Sequence, residues 1–125
     1  MSASTAHGPG RALVAVYAVF AIAATARSVY QLLTKAGEAP VAYALSALAG
    51  VVYVVATYAL ATDHRRLATW AVGFELVGVL VVGVLSFVDE VLFPDATVWS
   101  GFGAGYGYVP LVLPFVGLWW LRRTR

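Results

Sequence analysis

Two residues of opposite charge stand inside long apolar stretches, Arg27 and Glu75. A charged side chain in hydrocarbon costs about 2.5–3.5 kcal/mol on insertion scales, so such residues face a bundle interior and find partners. Counted from the inner ends of their stretches at about 1.5 Å per residue, Glu75 stands roughly 12 Å up and Arg27 roughly 22 Å up. Helical side chains lean toward the helix N-terminus, so Arg27 reaches back toward the midplane and an Arg27–Glu75 ion pair is feasible. Other arrangements stay open. Arg27 can snorkel outward or meet Asp89 or Glu90, and Glu75 can be kept protonated and bonded to a tyrosine.

Helical spacing surrounds both residues with polar company. Tyr17, Ala24, Arg27 and Gln31 share one face at steps of three, four and seven. Tyr43, Ser46, Gly50, Tyr53 and Thr57 share another, and Ser46-x-x-x-Gly50 is a small-xxx-small pattern that lets helices approach closely. Gly78 lies one turn beyond Glu75. The expected intramembrane polar site is therefore Arg27, Gln31, Tyr53 and Glu75. Ser46, Gly50, Gly78, Gly101 and Gly105 are expected to serve helix packing.

The elements that position these residues follow from composition. Of 125 residues, 62% are hydrophobic and 11% charged, with a mean hydropathy of +0.85. A soluble fold of this length cannot enclose so much apolar surface. In lipid every backbone polar group must be satisfied internally, which leaves helices or closed barrels. Stretches such as VGVLVVGVL at 77–85 lack the alternation of a barrel strand. A bilayer core of about 30 Å needs about 20 helical residues. Four stretches meet that length, at about 12–33, 41–61, 67–88 and 101–121. Pro40 suits a first turn, and Pro110 or Pro114 should kink the last stretch. The expected fold is one domain, an all-α four-helix transmembrane bundle. Residues 1–11 form a disordered cytoplasmic tail and 122–125 a basic one.

Basic residues orient the bundle. Arg11, Arg65, Arg66, Arg122, Arg123 and Arg125 all fall on one side, whereas the alternate loops hold Lys35, Glu38, Asp89, Glu90 and Asp95. Both termini are thus expected in the cytoplasm (N-in/C-in), with the protein in the cell membrane. Trp70, Trp119, Trp120 and Tyr58 near the inner ends, and Phe93 and Trp99 near the outer surface, read as interfacial belts. Arg11, the apolar run to Ala23 and Ala24-Thr25-Ala26 also resemble a cleavable secretory signal. The apolar stretch continues past Arg27, however, which favours a span.

Other chemistries find little support. There is no cysteine for disulfides or thiolate metal ligands. Asp89, Glu90 and Asp95 form no calcium loop and read as a solvated loop. His7 and His64 belong to no metal spacing, and no serine stands in a nucleophile-elbow setting. Gly105-Tyr106-Gly107 lacks the Thr-Val and the acidic residue that flank a potassium-channel filter. The overlapping Gly101/Gly105 and Gly103/Gly107 pairs are explained more plainly by close helix packing. No catalytic centre, cofactor or nucleic-acid partner is expected. The expected partners are the bilayer and a homo-oligomer or larger membrane complex. The expected role is that of a non-enzymatic structural or accessory component. The alternative is a small oligomeric transporter of protons or cations that uses Glu75 with Arg27.

One resemblance covers nearly the whole chain. Its carriers are Ala26-Arg27-Ser28, Phe74-Glu75-Leu76-Val77-Gly78, the 93–100 segment FPDATVWS, Gly105-Tyr106-Gly107 and the 110–114 segment PLVLP. In these it resembles small four-span membrane proteins of high-GC actinobacteria, which implies a cellular address and no established activity. The small multidrug-resistance exporters also have four short helices, but they carry their essential glutamate on the first. Here the first carries Arg27, and the chain is not assigned to them.

Overall fold

The structure is a computed structural model that describes residues 6–35, 37–38, 40–88, 97 and 99–124. It is all helical. Four α-helices, α1 (Pro9–Lys35), α2 (Pro40–Ala61), α3 (Arg65–Val88) and α4 (Val109–Arg123), are joined by a 3-10 helix at Ser100–Tyr106 that precedes α4. Pro9 and Pro40 open their helices, where the missing N–H costs no intrahelical bond. Helix α1 starts three residues before the expected 12, which shortens the amino-terminal tail.

The helices α1, α2 and α3 are each long and apolar enough to cross a membrane. Their outward faces stay apolar rather than turning polar: Leu33 is 80% exposed, Trp70 74%, and Ile22, Val77 and Phe87 are similarly open. A water-soluble bundle would carry charged residues on such faces.

Packing runs along the chain, α1 on α2, α2 on α3, and α3 on both α4 and the 3-10 helix. Helix α1 approaches α2 closely at Gly50. A Cβ there would lie 3.3 Å from the Thr25 backbone and 3.0 Å from its Oγ1. Backbone cannot swing aside as a side-chain tip can. Gly50→Leu is therefore expected to separate α1 from α2 and to destabilise the fold by about 2 kcal/mol or more. Chemical unfolding in detergent micelles checks this, and a wild-type midpoint would refute it.

The fourth segment departs from the sequence expectation of one kinked helix over 101–121. Helix α4 has 15 residues, about 22 Å of rise and short of a bilayer core. The 3-10 helix before it is turned by 98° relative to α4, so the two together make at most one broken crossing. The break lies at Gly107 and Tyr108, before either proline. Gly107 (φ 65°) and Tyr108 (φ 61°) are both left-handed, and Pro110 sits in the first turn of α4. A second reversal covers Gly101 to Gly103. Gly103 (φ 86°) tolerates no side chain, because a Cβ would lie 2.7 Å from the ring of Pro110.

At the opposite end of α4, Arg65 closes the bundle. Its Nη1 donates to the carbonyl of Leu121 at 3.2 Å and its Nη2 to that of Thr124. These are carbonyls that the helix end leaves without partners, and a cation there suits the helix dipole.

Candidate functional site

Three helices bring their polar residues to one height. Tyr17 lies eight residues above the start of α1, Glu75 ten above the start of α3, and Tyr53 eight before the end of the antiparallel α2. At about 1.5 Å per residue these are roughly 12, 15 and 12 Å from the same end of the bundle. All three side chains are buried, Glu75 at 0% exposure. The hydroxyl of Tyr17 donates to Oε1 of Glu75 at 2.6 Å, tying α1 to α3. The other carboxyl oxygen, Oε2, has no hydrogen-bond partner among the described residues.

Aromatic rings extend the cluster. Tyr53 packs against Tyr17 (centroids 6.1 Å apart) and Phe20 (5.5 Å), and Phe20 meets the edge of Tyr106 at 5.6 Å. The indole of Trp99 donates from Nε1 to the Tyr53 hydroxyl at 3.0 Å. Its ring fills the space that a side chain at Gly78 would occupy: a Cβ there would lie 2.5 Å from the indole. Helix α4 closes the cluster at Gly117, where a Cβ would stand 3.1 Å from the Tyr17 hydroxyl. Gly78 and Gly117 thus admit an indole and a phenol.

Arg27 stands apart. It lies about 12 Å higher along its helix than Glu75 does along the parallel α3, more than a side chain leaning back by one turn can bridge. Its Nη1 donates to the Tyr106 hydroxyl at 3.3 Å. One carboxyl oxygen of Glu75, Oε1, therefore meets a tyrosine, and the guanidinium meets the 3-10 helix. Gln31 is buried still higher on α1, and its Oε1 has no partner among the described residues. Ser46 is buried on α2 with its hydroxyl likewise unpartnered there. Tyr53 and Glu75 thus share one level of the cluster, Arg27 reaches it through Tyr106, and Gln31 lies higher still.

The packing glycines divide in the same way. Gly50 and Gly78 sit at close approaches. Gly101 is left-handed (φ 59°) with only ordinary contacts to Ala104 and Phe87, and Gly105 meets nothing within 4 Å among the described residues. The stretch is no continuous α-helix, so a GxxxG stripe does not form there.

Trp99 corrects the sequence expectation most clearly. Its place in the sequence puts it in the outer interfacial belt, yet it is buried to 1% exposure. A polar turn carries it inward: the Ser100 and Trp99 amides both donate to Thr97 Oγ1 at 3.1 Å, and the Thr97 amide donates to Ser100 Oγ at 2.8 Å. The Gly101 amide donates to Ser86 Oγ at 2.8 Å. Backbone donors entering an apolar interior need such partners. Sequence reading missed Trp99, Phe20 and Tyr106 as members of the cluster. Thr97-x-x-Ser100, a reciprocal capping spacing, was the available signal for the turn.

Chemically, the cluster offers one carboxyl, two phenols and an indole N–H. It can hold or relay a proton, or hold helices together. Among the described residues no three His, Cys, Asp or Glu side chains form a metal-binding group. Asp89, Glu90, Phe93 and Asp95 lie outside the described residues. Comparison with known proteins finds no matching family model, no similar curated protein and no similar solved structure.

Proposed function

We propose that the chain is a four-span integral membrane protein of a bacterial cell membrane, with both termini cytoplasmic. It acts as a non-enzymatic structural or accessory component, as a homo-oligomer or within a larger membrane complex. The observation that carries this reading is the apolar outer surface of α1, α2 and α3 around an interior that encloses a carboxyl. The arginine distribution supports the orientation. The Tyr17–Glu75 bond supports a packing role for the buried carboxyl, since interhelical hydrogen bonds hold membrane helices in register. The resemblance to actinobacterial four-span proteins agrees with the address.

A second reading, a small oligomeric transporter of protons or cations, draws on two observations. Glu75 Oε2 has no partner among the described residues, and the fourth segment is broken within the bundle. Transporters use broken helices at their binding sites. In that reading Glu75 binds the proton or cation, and Arg27 supplies a countercharge from above.

The native chain has no cysteine, so single cysteines report topology without background. Glu38→Cys is expected to react with a membrane-impermeant maleimide in intact cells, and Ser4→Cys only after permeabilisation. The reverse pattern would overturn the orientation. For the role, wild type and Glu75→Gln in proteoliposomes are expected to assemble alike and to show no proton-coupled uptake. Uptake by wild type, lost in a normally assembled Glu75→Gln, would replace the accessory reading with the transporter.

A further inference from the structure

The start of α3 and the end of α4 meet at one end of the bundle, where basic residues gather. Two recesses share Arg65 in their lining. One, of about 410 Å³, is lined by Arg65, Thr69, Leu118, Leu121 and Arg122. The other, of about 470 Å³, is lined by His64, Arg65, Arg66, Leu67 and Trp70. Arg123 stands nearby over the ring of Trp119 at 5.6 Å. The acidic group facing this region among the described residues is Asp63, 3.5 Å from Arg65 Nε. Four arginines therefore oppose one carboxylate.

Each recess is amphipathic in the same sense. Arginines occupy the end nearest the helix termini, and Leu118 and Leu121, or Leu67 and Trp70, form the wall further along the helices. That order matches a phosphate headgroup followed by acyl chain. A free anion would use only the arginine end. Clusters of arginine at the cytoplasmic ends of spans attract anionic lipids by about 1 kcal/mol each.

We propose that this end of the bundle binds an anionic glycerophospholipid of the inner leaflet. Arg122 takes the phosphate in the first recess and Arg66 in the second, each beside Arg65. Leu118, Leu121 and Trp70 receive the first acyl methylenes. Arg65, already committed to the α4 carbonyls and Asp63, fixes the site rather than acting as its main donor. The inference rests on the membrane reading above.

The test is native mass spectrometry of the full chain in neutral detergent, titrated with phosphatidylglycerol or with phosphatidylcholine of the same chains. Wild type is expected to retain phosphatidylglycerol preferentially. Arg66→Gln/Arg122→Gln is expected to weaken that binding roughly 20- to 30-fold, from about 1 kcal/mol per arginine. Arg11→Gln/Lys35→Gln removes the same formal charge elsewhere and is expected to leave binding unchanged. If the variant misfolds, Arg66→Lys/Arg122→Lys keeps the charge and is expected to retain most of the preference. Equal loss in both double glutamine variants, or no preference in wild type, would overturn the site. So would displacement of the lipid by millimolar inorganic phosphate, which would assign the recess to a free anion. Binding in detergent reads out whichever way the chain is inserted, so a failed orientation leaves this result interpretable. A chain that stays folded and monomeric without detergent would instead refute the membrane reading itself.

Discussion

Trp99→Ala is expected to destabilise the folded chain by about 3 kcal/mol or more, the range for deleting a large enclosed aromatic side chain. Two losses combine. The indole ring leaves a void against Gly78, and the Tyr53 hydroxyl loses the donor it accepts at 3.0 Å. Gly78→Ala attacks the same contact from the other side. Its new Cβ would sit 2.5 Å from an indole that is itself enclosed, so the overpacking cost is expected near 1–3 kcal/mol. Because both changes act on one contact, Gly78→Ala/Trp99→Ala is expected to cost clearly less than the sum of its singles. Gly83→Ala gives the comparison: its Cβ would meet Phe102 at 2.2 Å, but that ring is only half-buried and can turn away. A smaller effect is expected there. Unfolding in detergent followed by circular dichroism measures all four variants. A Trp99→Ala protein within about 0.5 kcal/mol of wild type, a surface-like effect, would mean that Trp99 does not anchor the broken segment.

The second large effect concerns the bond between α1 and α3. Glu75→Gln keeps an oxygen to accept from the Tyr17 hydroxyl and is expected to stay within about 1 kcal/mol of wild type. Glu75→Leu leaves that hydroxyl buried without its acceptor, and Tyr17→Phe leaves the carboxyl without its donor. Each is expected to cost about 1–3 kcal/mol. The double variant Tyr17→Phe/Glu75→Leu removes both polar partners and is expected to recover most of the loss. A double-mutant cycle with no coupling energy would show that the pair does not hold these helices together.

How far these residues were legible in the sequence depended on the physics that placed them. The burial of Glu75 was legible, because a carboxyl amid apolar neighbours requires burial and a partner. A tyrosine partner was one of the options, and Tyr17 already shared a helical face with Arg27. The choice between Arg27 and Tyr17 turned on height. The count along the sequence already put Arg27 about 10 Å above Glu75 and left the pair feasible. The observed helix starts make the gap about 12 Å, and the Tyr17 hydroxyl at the carboxyl's own height takes its place. The close approach at Gly50 was legible from Ser46-x-x-x-Gly50, since small residues four apart leave a flat surface. The same logic misled at Gly101 and Gly105. Small spacing implies packing only on a helix, and left-handed backbone at 101–103 breaks that condition. Trp99 was read as a membrane-surface anchor from its neighbourhood alone, while Gly78 and Gly83, far away in the chain, provided the notches that draw this segment inward.

The sequence by itself determined that the described residues build a helical fold, where its three long apolar helices run, and which residues must seek polar company. These properties come from composition, from periodicity and from the backbone's need for internal hydrogen bonds, all of which are local. Only the tertiary structure decided that Glu75 meets Tyr17, that Trp99 is enclosed on Tyr53, and that the last segment turns sharply before α4. Those outcomes depend on the relative heights of separate helices and on the fit of rings against glycines more than fifteen residues away, and no local pattern encodes either.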